Sequence, residues 1–299
     1  MKLVTILLGL MIFSASAKMP GFNIFVGDLT LQDNRLEVSQ LKALTTRAEY
    51  DNQPLFLPDG DSLLYTSALI NNTLEQTDSM HVSLESGQVT NLTKSTESEY
   101  SPTIMPNARS FSVIRAVNDK QKLWRYPLYP DVQTAVPASE LLTAVNPVGY
   151  HAWIDNNRVI LFVLGEPHTL QLADVRTQTS QVLDQNIGPS LFAIPHSSLM
   201  SYTASIGEGE DIQWQLKSYH PETGLIEHLT TLPKGAYYYA WAGNGYAMAA
   251  VDSILMQWDK GQSDEGWQPF SDVSAECPKG VTRLTSNPQN SKIALVCTL

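Results

Sequence analysis

From Phe22 onward, apolar and polar residues alternate in short runs that are cut by turns built from Gly, Asn, Asp and Pro. Period-two alternation between such turns predicts antiparallel β-structure. After Ala17 no stretch has convincing helical spacing, and residues 40–48 come nearest. The pattern also repeats. "PLFLPDGDSLLYTS" (54–67) and "PTIMPNARSFSVIR" (102–115) share a Pro-x-x-x-Pro frame, a turn and a β-rich run, 48 residues apart. Further copies are "YHAWIDNNRVILFV" (150–163), "SLFAIPHSSLMSYTAS" (190–205), "YYAWAGNGYAMAAV" (238–251) and "VTRLTSNPQNSKIALVC" (281–297).

Every hairpin but the last is followed by a second strand pair. "MHVSLESGQVTNLT" (80–93) and "WQLKSYHPETGLIEHLT" (214–230) are the clearest, and "HTLQLADVRTQTSQVLD" (168–184) is looser. Residues 122–136 and 253–270 are looser still. The final hairpin lacks this second half, and "FNIFVGDLTLQDNRLEVSQLKALT" (22–45) supplies a strand pair without a first half. Joining the two leaves no open sheet edge, and open edges invite aggregation. The reading is all-β: a six-bladed β-propeller of four-stranded antiparallel blades, the last closed by the N-terminal strands. Its period lies within the blade range of about 40 to 50 residues. Blades are expected near residues 50–93, 98–142, 146–185, 187–232, 236–273, and 280–299 joined with 22–45, within a single domain spanning 18–299.

The Pro-x-x-x-Pro-Asp-Gly hairpin followed by "VSLESGQVTNLT" resembles the WD40-like repeat of the TolB-type six-bladed propellers. The resemblance covers nearly the whole chain after residue 17 and is best over 51–93; the third and fifth blades lack the Pro-Asp-Gly turn. It implies the architecture and no catalytic residue. TolB-type proteins carry an additional N-terminal α/β domain, whereas here the propeller alone is expected.

The first residues, "MKLVTILLGLMIFSASAKMP", combine Lys2, an apolar run from Leu3 to Phe13 and the small-x-small triplet Ala15-Ser16-Ala17. That is the layout of a signal peptide cleaved after Ala17, and the run is shorter than the ~20 residues a membrane span needs. A periplasmic or secreted, monomeric protein without a transmembrane anchor is expected. The formal charge of −11 disfavours nucleic-acid partners, because a phosphate backbone is repelled. The two cysteines, Cys277 and Cys297, read as a disulfide in an exported chain, since the last hairpin brings Cys297 back near Gly280; two buried thiols are the alternative.

No G-x-S-x-G elbow, H-E-x-x-H or C-x-x-C occurs, and the six histidines have no ligand-like spacing. The segments leading into the first strand of each blade converge on one mouth of the channel. They nominate Asp51, Asn52, Glu99, Tyr100, Tyr150, His151, Tyr238 and Arg283 as binding residues, with Lys279 nearby. Tyr237, Tyr239 and Trp241 alternate as blade-packing residues would. Asp51 and Glu99 occupy matched repeat positions, and a divalent cation between them stays open; no other cofactor is expected. The acidic loop Gly207 to Asp211 reads as a solvated tip. The leading functional expectation, taken from the resemblance, is a non-catalytic protein that binds a periplasmic protein or peptide at the mouth. The alternative is a propeller hydrolase of the lactonase kind, with a metal or carboxylate site in the channel.

Overall fold

In the computed structural model, residues 19–71, 74–129, 137–261 and 266–299 are described. The expected signal peptide, 1–17, lies outside them, as do parts of the looser strand pairs at 130–136 and 262–265.

Six four-stranded antiparallel sheets make the fold. The first blade holds β3 (Asp51–Phe56), β4 (Ser62–Asn71), β5 (Leu74–Ser83) and β6 (Val89–Asn91). The second holds β7 (Ser98–Ile104), β8 (Ser110–Val117), β9 (Lys120–Pro127) and β10 (Ser139–Glu140). The third runs from β11 (Val148–Trp153) and β12 (Arg158–Val163) to β13 (Thr169–Asp174) and β14 (Thr179–Gln185). The fourth contains β15 (Ile187–Ala193), β16 (Met200–Ile206), β17 (Gln213–Tyr219) and β18 (Ile226–Thr231); the fifth contains β19 (Tyr239–Trp241), β20 (Tyr246–Val251), β21 (Ile254–Asp259) and β22 (Gln268–Asp272). Residues 40–48, the nearest approach to helical spacing, are extended as far as Ala43, and the acidic loop closes with a single 3-10 turn, Gly209–Asp211.

The closing blade joins both ends of the chain. Its order is β2 (Arg35–Ala43), β1 (Phe22–Gln32), β24 (Lys292–Thr298), β23 (Val281–Ser286). β1 and β24 pair without interruption from Phe22 opposite Thr298 to Asp28 opposite Lys292. Lys292 also reaches Asp28 through its ammonium at 2.6 Å. Side chains then tie this blade to both neighbours. The Gln257 amide accepts from Leu36 N–H at 2.7 Å and donates to the Asn34 carbonyl at 2.9 Å. On the other side, Asn287 and Gln289 donate to the carbonyls of Gly60 and Pro58 at 3.3 and 3.0 Å.

Why six separate sheets hold together is visible in where the apolar side chains go. Each large buried cluster lies between two blades. Phe56, Leu63 and Tyr65 pack on Ile24, Ala294 and Val296; Leu57 and Leu64 pack on Phe111, Val113 and Tyr126. Corresponding layers separate the second and third, third and fourth, fourth and fifth, and fifth and closing blades. The second strand of a blade has a neighbour on both faces. Val159 to Val163, Tyr246 to Ala250 and Ile293 to Cys297 are therefore buried without alternation, which explains the unbroken apolar runs VILFV and IALVC in the sequence. The outermost strands, such as β14 with the burial pattern of a solvated edge, carry polar residues.

The recurring turn has one cause. Asp59, Asn107 and Asp155, spaced 48 residues apart, each accept two backbone N–H groups of the returning strand through Oδ1, at 2.8 to 3.1 Å. Asn287 does the same in the closing blade at 2.8 and 3.0 Å. A short polar side chain that bonds its own backbone fixes the turn. Cys277 and Cys297 form a disulfide, with Val281 paired opposite Cys297 and Thr298 N–H donating to the Gly280 carbonyl.

Candidate functional site

Five of the six inner hairpins break register close to their start: between Asn52 and Leu55, Tyr100 and Thr103, Val148 and Tyr150, Ile187 and Leu191, and Val281 and Arg283. A bulge adds a residue to one strand and re-aims the side chains beside it. Gln53 and Ser101, again 48 apart, take positive φ at the bulge (56° and 55°). The Gln53 amide oxygen accepts from both Ser101 N–H and Thr66 Oγ1 at 2.8 Å, so the first two bulges are tied together.

At this same end of the inner strands one group of side chains comes together. Tyr50, Tyr100, Tyr150 and Tyr238 lie close enough to Arg283, or to one another, to affect each other's charge. The Arg283 guanidinium lies 3.9 Å above the centre of the Tyr238 ring and 5.1 Å from that of Tyr150. It donates through Nη2 to the Tyr150 hydroxyl at 2.6 Å. Tyr100, Tyr150, Tyr238 and Arg283 are all partly exposed, and Tyr50 is buried beneath them against Met19 and Ala68. Burial pushes the Tyr50 and Tyr238 phenols above their ordinary range, against the pull of Arg283. They are neutral near pH 7. Tyr237 carries the aromatic surface outward, with ring centres 4.8 Å from Tyr238 and 4.9 Å from Trp214. Trp214 in turn borders a cavity of about 210 Å³ shared with Leu232 and Lys234. Ligand pockets usually run from about 300 Å³ upward, so the feature that stands out is the aromatic mouth rather than an enclosed pocket.

The other nominated residues lie elsewhere. Asp51 and Glu99 are fully buried, and each clips an inter-blade linker to an inner hairpin. Asp51 is held by Arg47, at 3.0 and 3.1 Å, and by Ser67 at 2.6 Å. Glu99 accepts from Ser95 at 2.6 Å and Tyr126 at 3.0 Å, with Arg115 Nε at 3.3 Å. The two clusters are one motif with two positions exchanged: Arg47 and Ser95 are 48 apart, and so are Ser67 and Arg115. Burial outweighs the Ser95, Tyr126 and Arg115 contacts and raises Glu99 to about 7. Its Oε2 has no partner. Asn52 is buried and bonds the backbone of Gln53.

His151 is buried between blades, 2.6 Å from Ser112 Oγ, and burial holds it neutral with a pKa near 3. Ser112 also accepts from Trp153 Nε1 at 2.8 Å and donates to the Thr103 carbonyl at 3.3 Å. That uses the hydroxyl's one hydrogen and leaves it a lone pair, so with Thr103 as its acceptor it takes a hydrogen bond from His151 Nε2, and Nδ1 has no partner. Two blades on, Ser201 repeats the arrangement. It accepts from Tyr239 OH and Trp241 Nε1, both at 2.8 Å, and donates to the Phe192 carbonyl at 3.2 Å. Tyr239 and Trp241 thus serve blade packing, while Tyr237 faces the mouth.

Among the described residues no three His, Cys, Asp or Glu side chains gather where they could hold a metal, and at the mouth the positive charge of Arg283 opposes one. Tyr50 is not among the residues nominated for binding from the sequence, and the bulges are not foreseen by it. The breaks in alternation at Pro54, Pro102, Gly149 and Gly188-Pro189 were the available signal.

No protein-family model matches the chain, and no curated protein matches it. Solved structures do. A putative TolB from Agrobacterium tumefaciens superposes with a TM-score of 0.69 at 13% identity, over 94% of this chain and 99% of that one. TolB from Acinetobacter baumannii gives 0.55 at 12% identity, covering 94% of this chain and 65% of that one. An oligogalacturonate lyase in complex with manganese gives 0.55 at 13% identity, covering 93% and 78%. Identities this low speak for shared architecture. The chain has the six-bladed propeller fold of the TolB type, closed by strands from both of its ends.

Proposed function

We propose that this protein is an exported, non-catalytic binding protein that presents the aromatic end of its channel to a protein or peptide partner. One observation carries the reading: Tyr100, Tyr150, Tyr237 and Tyr238 stand half-exposed together at the starts of inner strands, those of Tyr100 and Tyr150 being bulged. Rigid aromatic side chains offer large contact area for little loss of rotamer freedom, and sites of this kind concentrate at one end of a stable scaffold. The likeness to two TolB structures supports a binding role. Export agrees with residues 1–17 and with a disulfide, which persists in oxidising compartments.

The oligogalacturonate lyase likeness supports a second reading, an enzyme acting at the same end of the channel. Among the described residues the mouth supplies a cation and phenols but no carboxylate pair, which speaks against glycoside hydrolysis there. Affinity capture from periplasmic extract tests the choice. Wild type is expected to retain a defined partner that Tyr100→Ala and Tyr238→Ala each lose, while a surface change at Val89 on the outer strand leaves capture intact. Equal capture by all variants would remove the mouth from the account.

A further inference from the structure

Arg283 is a charge without a counter-charge. Among the described residues, Asp51 is paired with Arg47, Glu97 and Glu99 with Arg115, Asp184 with Lys217, and Asp28 with Lys292. Among the described residues no carboxylate lies within ion-pair distance of Arg283, although the chain carries a net charge of −11. What holds the guanidinium instead is the face of Tyr238 and the hydroxyl of Tyr150. A ring stacked on the guanidinium plane satisfies the cation without using its donors, because all five N–H groups point within that plane. Nη2 is engaged by Tyr150, while Nε and Nη1 have no partner, and neither is among the sealed polar atoms that lack one. They therefore keep accessible surface at the mouth.

We propose that Arg283, framed by Tyr50, Tyr150 and Tyr238, is a recognition site for a carboxylate. The argument is complementarity of charge and shape. Nη2 carries two N–H groups and gives one to Tyr150; its other N–H, together with the neighbouring N–H of Nε or Nη1, makes the planar fork that a carboxylate takes in a bidentate pair. One unbalanced positive charge matches one negative charge, whereas a phosphate monoester brings close to two. The phenolic walls lower the local polarity and so strengthen the pair. The inference deepens the binding reading and rests on it for the source: the carboxylate belongs to an acidic side chain or the C-terminus of a peptide, with a small free carboxylate as the other source.

The test uses the full folded protein at low salt. One pool of fluorescent hexapeptides carries free C-termini and acidic residues; a second is amidated, with Asn and Gln in place of Asp and Glu. Binding is read by fluorescence polarisation for wild type, Arg283→Met and Arg283→Lys, with circular dichroism as the check on folding. In parallel, acetate and inorganic phosphate are scored by the shift in melting temperature. The first pool is expected to bind at least tenfold more tightly than the second, and Arg283→Met to abolish the difference. Arg283→Lys, which keeps the charge but loses the planar fork, is expected to retain only part of it. Should Arg283→Met not fold, Tyr150→Phe, which frees the guanidinium from its hydroxyl partner, is expected to alter the preference without abolishing it. If both pools bind equally, the carboxylate site falls while peptide binding stands. If neither pool binds but acetate raises the melting temperature in an Arg283-dependent way, the carboxylate site stands and the peptide reading falls. No response to any probe, or a larger shift with phosphate than with acetate, overturns the proposal.

Discussion

Glu99 offers a quantitative check on the buried network between the first two blades. Its carboxyl is fully enclosed, one oxygen has no partner, and its pKa rises from the ordinary 4.5 to about 7. Below 4.5 the folded and unfolded states both hold the proton. Between 4.5 and 7 the unfolded chain releases it while the folded chain keeps it, so stability falls as pH rises, and above 7 the loss is complete. A displacement of this size corresponds to roughly 3 kcal/mol. Glu99→Gln preserves the shape and cannot ionise. His151, held near 3 against an ordinary 6.5, acts in the opposite direction: its contribution is present above 6.5 and is lost as pH falls. Both proteins carry His151, so the difference between them isolates Glu99. Urea unfolding at pH 4.5, 5.5, 6.5 and 7.5 should show wild type losing about 3 kcal/mol relative to Glu99→Gln across the series. Parallel stability curves for the two proteins would show that the carboxyl does not bear the burial cost assigned to it.

Three further outcomes follow from the fold. Ser201→Ala strands the Tyr239 hydroxyl and the Trp241 indole N–H in a sealed interface and should cost about 3 kcal/mol in urea unfolding; a change below about 0.5 kcal/mol would mean that the hydroxyl is dispensable. Replacing Cys277 and Cys297 by Ala opens a loop of 20 residues in the closing blade and should lower stability by about 3 kcal/mol, or about 5 °C in melting temperature. An unchanged melting temperature under reducing conditions would contradict this. Gly60 has φ +78°, and an added Cβ would run into the side-chain amide of Gln289. Gly60→Ala should therefore cost about 1 to 2 kcal/mol and loosen the contact between the first and closing blades, read as faster amide exchange at Gly60 and Gln289.

The fold was legible because its determinants are local and periodic. The Asx turns at Asp59, Asn107 and Asp155 recur at a fixed spacing, and the unmatched strand pairs at the two ends point to each other. The site was legible only in part. Inner-strand starts could be placed by register, so Tyr100, Tyr150, Tyr238 and Arg283 were nominated together. What periodicity could not supply is the bulge, which reverses the face a residue presents. Asp51 and Glu99 therefore read as mouth carboxylates and are instead enclosed by Arg47 and Arg115, partners that lie in different parts of the two repeats. His151 likewise needed Ser112, on the neighbouring blade, to be understood.

The central claim is that the tyrosine-lined end of the channel is the surface that meets a partner. A photo-crosslinking residue placed at Tyr238, at Tyr100, or at the outer-strand positions Val89 and Val182, followed by irradiation in the living cell and mass spectrometry, addresses it directly. Adducts to one and the same partner from Tyr100 and Tyr238, with none from Val89 or Val182, are the expected result. Adducts only from the outer strands would contradict the account.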